Sequence, residues 1–587
     1  MTVQATFAAT LVDEWVRAGV RHAVVAPGSR STPLVVALAS DDRIKLHVRL
    51  DERSAGFFAI GVALGSSSPV VVCTTSGTAA AELHAAVIEA DLACVPIICV
   101  TADRPVELQN VGAPQTIDQL GLFSGAVRFS CALGVPDNAT RGSWRSLASR
   151  LVAEATASPK GPGPVHLNCS FAEPLVDALQ DVPPGREHGA PWHWAVREPS
   201  VPKGAVERLL SVVATAGKGI IIAGAGAAPR NDPSGIYALA QALGWPVLAE
   251  PRAYPRMPHS HLVAHADGIV KSAPARSVLA PDVVVHLGAP HASKALTSWC
   301  EALAGDGATD ILVDAYGKFR DPSRVAAALI TADPELLAAE CAARLSQSGV
   351  APVDAGAWLK GWQEAEGAAA RAVASVLDQR SEPSEPGIAR ELFRVLPDHA
   401  TLVVSSSMPI RDLEWFAKPR EGAPIVLANR GANGIDGVVS TVLGVGALAS
   451  RLGPVVGLLG DLAFFHDLSG LVWGRNEDRP NATLVVIDNA GGGIFNFLPQ
   501  AGLLGEELFE RVMCTPQDGD CASVARALSC TVFDANADPI DVVLSKALLT
   551  KGINVVVVRT DRKENVALHE ALTEAITQAV NAALHSL

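Results

Sequence analysis

The chain contains 587 residues, and 49% of them are hydrophobic, which is enough to fill the cores of roughly two to four globular domains. Its formal net charge is -14, which argues against a general nucleic-acid-binding surface. Apolar runs such as 95–100 are interrupted long before the roughly 20 residues that a membrane-spanning helix needs, and the first residues lack the basic head of a signal peptide.

Ten cysteines are scattered between Cys73 and Cys530, and no two of them form a Cys-x-x-Cys pair. In a chain of this length, that pattern is typical of free thiols in a reducing compartment. The sequence therefore predicts a cytoplasmic protein whose partners are small molecules.

Short Val- and Ile-rich runs, such as PVVVCTT and VPIICVTA, alternate with helical stretches in the first part of the chain. The alternation predicts βα units and a parallel sheet in a domain at 1–180. A stretch containing Pro, Gly and His at 181–203 breaks the pattern and predicts a linker.

The alternation resumes over 204–350 and gives way to an Ala-rich, charged helical region, so we expect a second α/β domain and a helical connector at 351–387. A third α/β block follows at 388–587. The predicted fold class is α/β, with three domains in which helices flank parallel sheets.

Two turns in the third block follow predicted strands, and ligands bind at the carboxyl ends of strands in open α/β sheets. The first turn contains Gly460 and Asp461, and the second runs from Asn489 through glycines 491–493. A carboxylate, an amide oxygen and the carbonyl of Gly491 suit Mg²⁺, and glycine amides can approach phosphate closely. Alternatively, Asp461 only caps a helix and the glycines form a flexible loop. As a pair, the two turns resemble the motif that holds thiamine diphosphate through Mg²⁺, with Mn²⁺ as the alternative metal.

Glu52 lies between a predicted strand and a helix rich in Gly and Ala. Thiamine diphosphate needs a carboxylate beside its aminopyrimidine ring for proton exchange, and Glu52 suits that task. The alternative is an Asp-Glu pair that the helix dipole favours at a helix start.

Six segments extend this resemblance: APGSRSTPL, DERSAGF, TSGTA, TADRP, NRGANGIDG and DNAGGGIFNFLP. Together they resemble the 2-succinyl-5-enolpyruvyl-6-hydroxy-3-cyclohexene-1-carboxylate synthases of menaquinone biosynthesis. The resemblance implies a transferase with pyrimidine-binding, central and diphosphate-binding domains. It also implies that the enzyme decarboxylates 2-oxoglutarate, adds the succinyl carbanion to isochorismate, and forms a homodimer or homotetramer.

The resemblance also implies site residues, and the arginines among them make chemical sense because guanidinium groups pair with carboxylate through two hydrogen bonds. The implied catalytic residues are Glu52, Gln115, Arg411 and Arg430. The implied substrate-binding residues are Ser29, Arg30, Arg104, Lys294 and Ser407. The implied cofactor contacts are Glu52, Ile435, Gly460, Gly492, Ile494 and Phe495. The implied metal ligands are Asp461, Asn489 and Gly491.

The sequence departs from the family pattern at three positions. Asp488 replaces the first of two usual asparagines, Pro114 stands where many relatives have Asn, and Ala295 stands where some have a second basic residue. Two other functions remain open: another thiamine-diphosphate decarboxylase or acetohydroxyacid-synthase-like enzyme, and a non-catalytic regulator that binds the cofactor.

Overall fold

A computed structural model describes residues 3–214, 216–228, 232–253, 256–348, 355–536 and 538–585. Within these ranges, the strands form three six-stranded sheets in which every pair of neighbouring strands is parallel. Helices flank each sheet, so the predicted α/β fold class is confirmed. No helix in the described ranges combines the length and apolar character needed to cross a membrane.

The first sheet has the strand order β2-β1-β3-β4-β6-β5. Its central strands are Val- and Ile-rich and buried on both faces, as a sheet covered by helices on both sides requires. The strands are β1 His22–Val25, β2 Lys45–Val48, β3 Val70–Thr74, β4 Ile97–Asp103, β5 Ser130–Leu133 and β6 Val165–Ser170. The helices are α1 Gln4–Arg17, α2 Thr32–Ala39, α3 Glu52–Ser66, α4 Thr78–Glu82, α5 His84–Ala93 and α6 Trp144–Ala157. We call this unit the first domain.

The second domain contains a sheet with the order β12-β11-β10-β7-β8-β9. Its strands are β7 Gly219–Ala223, β8 Val247–Ala249, β9 Leu262–Val263, β10 Val283–Leu287, β11 Thr309–Asp314 and β12 Ala328–Thr331. Its helices are α7 Ala205–Val213, α8 Ser234–Leu243, α9 Ala266–Lys271, α10 Ala273–Val278, α11 Lys294–Gly305, α12 Pro334–Ser348 and α13 Ala355–Leu377.

The third domain contains a sheet with the order β14-β13-β15-β16-β18-β17. Its strands are β13 Thr401–Val404, β14 Ile425–Leu427, β15 Val455–Gly460, β16 Ala482–Asp488, β17 Thr531–Asp534 and β18 Ile553–Arg559. The helices of this part of the chain are α14 Glu385–Val395, α15 Met408–Phe416, α16 Val438–Gly446, α17 Ala449–Leu452, α18 Asp461–His466, α19 Gln500–Leu503, α20 Glu506–Phe509, α21 Cys521–Ala527, α22 Ile540–Leu549 and α23 Arg562–His585.

The expected linker and connector differ in structure. Within 181–203, the only regular element is a short 3-10 turn at Glu187–Gly189. Residues 349–354 lie outside the described ranges, so the expected boundary at 350 is not described. Helix α13 is part of the core of the second domain, and α23 packs against both α13 and α9. The last described helix therefore leaves the third domain and completes the core of the second.

Helices α3 and α16 join the first domain to the third. Gly61 and Gly444 lie at their crossing, where a Cβ on Gly61 would be 2.2 Å from the carbonyl oxygen of Thr441. A Cβ on Gly444 would be 2.2 Å from the carbonyl oxygen of Phe58. Glycine at both positions thus permits the two helices to approach closely, which fixes the start of α3 relative to the third sheet.

Candidate active site

Residues that follow three strands of the first sheet form a cluster that contains two arginines. Arg104, just beyond β4, donates hydrogen bonds to the hydroxyl of Ser76 and, at 2.8 Å, to the carbonyl oxygen of Gln115. Arg30, which follows β1, donates to the carbonyl oxygen of Phe171 at 2.9 Å. Burial and the charge of Arg30 lower the pKa of Arg104. The cluster thus offers guanidinium groups to an anion.

The other residues predicted on this side are more exposed. The side chains of Ser29 and Gln115 are exposed, and Gln115 has a positive φ of 52°. Pro114 is also exposed, in a segment without helix or strand. The structure therefore brings Gln115 to Arg104 through its backbone, while its side chain is exposed.

Glu52 is the first residue of α3, and the preceding Asp51 caps the helix by accepting a hydrogen bond from the amide of Ser54 at 3.0 Å. Glu52 is half-buried, and burial raises its pKa, with further contributions from Asp51 and Glu82. The capping role therefore belongs to Asp51. Within the described residues, Glu52 makes no hydrogen bond or ion pair with Asp461 or Asn489 of the same chain.

The two turns predicted to bind metal lie side by side at the carboxyl ends of β15 and β16. Asp461 is buried at the start of α18, and its Oδ2 accepts a hydrogen bond from the amide of Gly491 at 2.6 Å. Burial raises the pKa of Asp461 to about 6. The structure therefore unites all three predicted metal ligands, since Asn489 precedes Gly491 in the same turn.

The donor set at these turns fits a hard divalent cation. Asn489 is 8% exposed, and its Oδ1 is buried without a hydrogen-bond partner in the described part of the chain. Its Nδ2 donates to Oε1 of Glu385 at 2.7 Å, which leaves the amide oxygen for a ligand. In the described ranges, no group of three or more His, Cys, Asp or Glu could hold a metal, but one carboxylate with amide and carbonyl oxygens suits Mg²⁺.

Glycines 491–493 allow this turn to pack closely against the segment that contains Cys514. Gly491 has φ +133°, and a Cβ there would be 2.3 Å from the carbonyl oxygen of Cys514. The amide of Gly492 donates to that same oxygen at 2.7 Å. Ile494 and Phe495 follow in the short helical turn Gly493–Phe497 and are half-buried. Only glycine suits position 491, so the glycine run is a packed turn rather than a flexible loop.

Asp488 ends β16 and is half-buried. Its Oδ1 accepts a hydrogen bond from the amide of Ala490 at 3.4 Å. Its charge contributes to the raised pKa of Asp461, after the larger effect of burial. The departure at position 488 thus adds negative charge beside the two turns predicted to bind metal, 460–461 and 489–493, which we call the metal turns.

Two predicted arginines lie near the ends of β13 and β14. Arg411, on α15, donates a hydrogen bond of 2.6 Å to the carbonyl oxygen of Ser407, whose φ is 75°. The Nε of Arg430 is buried without a partner among the described residues. Burial lowers the pKa of Arg430 to about 10, and the charges of Arg252 and Arg411 contribute. Crowded, partly desolvated guanidinium groups of this kind favour an anionic ligand.

Lys294 comes from the second domain, at the exposed start of α11. The turn before it is held to α15, because the amide of Ala292 donates to Oε2 of Glu414 at 2.9 Å. Lys294 and Arg411 are therefore carried by elements that contact each other. Ala295 is half-buried against the core of the second domain, unlike the exposed Lys294.

Ile435 and Gly460 complete the predicted cofactor contacts. Ile435 is half-buried and packs against the core that the first and third domains share. Gly460 ends β15, directly before Asp461. Ile435 therefore lies at the boundary between the two domains, and Gly460 lies at the end of a strand of the third sheet.

The sequence-based prediction did not include four charged residues that lie near the site. Arg252 forms an ion pair with Glu250 at 2.8 Å and, together with Arg430, lines a cavity of about 1200 Å³ where the three domains meet. Arg562 donates to the carbonyl oxygen of Asn489 at 3.1 Å. It lies just beyond β18, so the rule that ligands bind at strand ends could have found it. The remaining two are Glu89 and Glu385, whose positions in helices gave no local signal.

Comparison with known proteins agrees with this architecture. Residues 5–122 match the family described as "Thiamine pyrophosphate enzyme, N-terminal TPP binding domain". Residues 191–404 match the "Middle domain of thiamine pyrophosphate".

Several curated proteins named 2-succinyl-5-enolpyruvyl-6-hydroxy-3-cyclohexene-1-carboxylate synthase are similar over nearly the whole chain. The one from Myxococcus xanthus (strain DK1622) is 40% identical over 588 residues, covering 96% of both chains. The one from Thermobifida fusca (strain YX) is 40% identical over 594 residues, covering 97% of this chain and 98% of its own. The one from Listeria innocua serovar 6a is 36% identical, over 96% of both chains. The chain therefore belongs to the 2-succinyl-5-enolpyruvyl-6-hydroxy-3-cyclohexene-1-carboxylate synthase family of thiamine-diphosphate-dependent transferases.

Proposed function

We propose that the protein uses thiamine diphosphate and Mg²⁺ to decarboxylate 2-oxoglutarate and transfer the remaining four-carbon unit to isochorismate. The products are 2-succinyl-5-enolpyruvyl-6-hydroxy-3-cyclohexene-1-carboxylate and CO₂, in menaquinone biosynthesis. The observation that carries this proposal is that Asp461 bonds the amide of Gly491 in the turn of Asn489, whose amide oxygen is buried without a partner among the described residues. Arg411 and Arg430 belong to the same domain.

The metal turns would hold the cofactor by its diphosphate. Asp461, Asn489 and the carbonyl of Gly491 would hold Mg²⁺, and Mn²⁺ suits the same oxygen ligands. Glycines 491–493 would let backbone amides approach the phosphates. When bound, thiamine diphosphate would supply the nucleophilic carbon for attack on the 2-oxo group and a cationic ring as the electron sink for the pair released with CO₂.

Glu52 would exchange a proton with the aminopyrimidine ring. Its carboxyl group is half-buried and its pKa is raised by that burial, which suits a group that must hold and release a proton. Ile435, Ile494 and Phe495 would pack against the cofactor. These apolar side chains would exclude water from the reacting carbon.

Both substrates carry carboxylates, and the basic residues account for their recognition. Arg411 and Arg430 would bind substrate carboxylates from the third domain, with Lys294 reaching in from the second and Ser407 adding a polar contact. Ser29, Arg30, Arg104 and Gln115 would bind the acceptor from the first domain.

We also propose a cytoplasmic homodimer or homotetramer. In the described part of the chain, no hydrogen bond or ion pair joins Glu52 to Asp461 or Asn489, which supports a site completed by the first domain of a second subunit. Large apolar side chains are exposed on the segments that follow Arg104 and Phe495; they include Val106, Val111, Leu120, Leu503 and Leu508. Exposed apolar surface is typical of subunit interfaces, and sedimentation equilibrium would measure the assembly. All ten cysteines are free, which agrees with a reducing compartment.

The deciding experiment is a two-substrate assay on the purified protein. We expect CO₂ release from 2-oxoglutarate that requires thiamine diphosphate and Mg²⁺ and that increases when isochorismate is added. Turnover of pyruvate instead would favour an acetohydroxyacid-synthase-like enzyme. Cofactor binding without turnover of any 2-oxo acid would favour a non-catalytic regulator.

A further inference from the structure

The loop at 429–437 connects β14 to α16 and carries two predicted site residues, Arg430 and Ile435. One acidic side chain of the first domain holds this loop. Glu89, on α5, is 3% exposed, and its two carboxylate oxygens accept hydrogen bonds from the amide of Gly431 at 2.8 Å and of Ala432 at 2.7 Å. The residue next to Arg430 is therefore fixed from another domain.

The contact between the loop and α5 leaves no room for adjustment. A Cβ at Gly431 would be 2.7 Å from the carbonyl oxygen of Glu89 and 2.9 Å from the amide nitrogen of Ala93. Both atoms belong to the backbone of the helix, so they cannot turn aside as a flexible side chain can. The loop thus rests directly on the helix that carries the carboxylate.

Helix α5 is also held by the second domain, at the same carboxyl end from which Glu89 projects. Nζ of Lys318 donates to the carbonyl oxygen of Asp91 at 2.9 Å and to that of Leu92 at 3.3 Å. Arg320 also donates to the carbonyl oxygen of Leu92 at 3.3 Å. Cations at the carboxyl end of a helix are favoured by its dipole. Glu89 therefore projects from a helix whose position is fixed.

We propose that Glu89 is a positioning residue, which orients the 430–432 backbone so that the guanidinium of Arg430 meets a carboxylate of the 2-oxo acid. This inference rests on the proposed function. Hydrogen bonds to an ionised carboxylate are stronger than neutral ones, and each of the two amides donates to a different oxygen of the Glu89 carboxylate. Glutamine at position 89 would offer one acceptor and would turn an NH₂ group toward the other donor.

The test compares Glu89→Gln and Arg430→Ala, singly and together, with the surface variant Glu154→Gln as the matched control. Glu154 forms an ion pair with Arg150 at the protein surface. Both residues are remote from the loop in sequence. We expect Glu89→Gln to lower kcat/KM for 2-oxoglutarate by about 10- to 100-fold, chiefly through KM, because two charge-assisted hydrogen bonds are replaced. In the double variant, the loss should be no greater than in Arg430→Ala alone, since residues that act through one another are not additive.

A second readout needs no turnover. Hydrogen exchange of the amides of Gly431 and Ala432 should become faster in Glu89→Gln than in the wild type, and should be unchanged in Glu154→Gln. If Glu89→Gln does not fold, Glu89→Asp keeps the charge but shortens the side chain, and the same measurements apply. Unchanged exchange, or losses that multiply in the double variant, would overturn the inference. An inactive wild-type protein would instead overturn the proposed function, and the exchange result would still report whether Glu89 holds the amides of Gly431 and Ala432.

Discussion

Asp461 is a buried carboxylate at which a proton and a metal ion compete. Burial raises its pKa to about 6, and the charge of Asp488 adds to that effect. The carboxyl group must lose its proton before it binds a cation. Below this pKa the protonated form dominates, so metal affinity falls as the pH falls, whereas above it the carboxylate is ready to bind.

We therefore expect affinity for Mn²⁺, measured by electron paramagnetic resonance without cofactor, to increase from pH 5 to pH 7 and then level off. Each pH unit well below the pKa should weaken binding about tenfold. The variant Asp461→Asn should bind weakly at every pH. An affinity that stays constant between pH 5 and pH 7 would contradict a proton on Asp461 as the competitor.

Asp51, and not Glu52, caps α3. A substitution of Glu52 can therefore test its role in proton exchange with little effect on the stability of the helix. We expect Glu52→Gln to lower the rate of CO₂ release by about 10²- to 10⁴-fold, since an amide cannot exchange the proton. Calorimetry should still detect binding of thiamine diphosphate. The control Asp51→Asn keeps a good helix cap and should retain most activity. Full activity in Glu52→Gln would exclude the assigned role.

At the level of helices and strands, the start of α14 contacts the turn that contains Asn489. Its first residue, Glu385, accepts the hydrogen bond from Nδ2 of Asn489 and so determines which way the amide points. Burial raises the pKa of Glu385 to about 7. Groups that orient metal ligands commonly affect affinity as the ligands do.

Removal of this support should weaken metal binding. We expect Glu385→Ala to reduce Mg²⁺ affinity, measured by calorimetry in the presence of thiamine diphosphate, by about 10- to 100-fold. Glu385→Gln keeps an acceptor oxygen and should lose less. Equal affinities in the wild type and the alanine variant would show that the Asn489 amide is oriented by other contacts.

The parallel sheets and the strand-end residues could be predicted because buried strands are continuous apolar runs and their carboxyl ends share one edge. Asp461, Asn489 and Gly491 follow from that rule, and Arg562 would have followed too. Glu89 and Glu385 could not be predicted, because each lies in a helix and its partner comes from a distant segment. Nor could the path of α23, whose apolar positions do not reveal which domain they cover.

On the scale of the whole molecule, α23 ties the second and third domains together. Leu572 is 0% exposed in the core of the second domain, although it follows the last strand of the third. We expect Leu572→Ala to lower the free energy of unfolding by about 2–5 kcal/mol through the cavity it leaves. Urea unfolding monitored by tryptophan fluorescence would measure the change. Leu549→Ala, at a position 88% exposed, is the matched control and should change stability by less than about 0.5 kcal/mol.

The path of α23 also bears on the order of events during synthesis. The strands of the second domain leave the ribosome well before α23 does, because the whole third sheet lies between them in the chain. Until α23 arrives, the apolar side of α13 that it covers stays open to water, and exposed apolar surface of this kind invites aggregation. A nascent chain therefore carries an unfinished second domain until the last described helix has been made, which is the stage at which a chaperone would have most to protect.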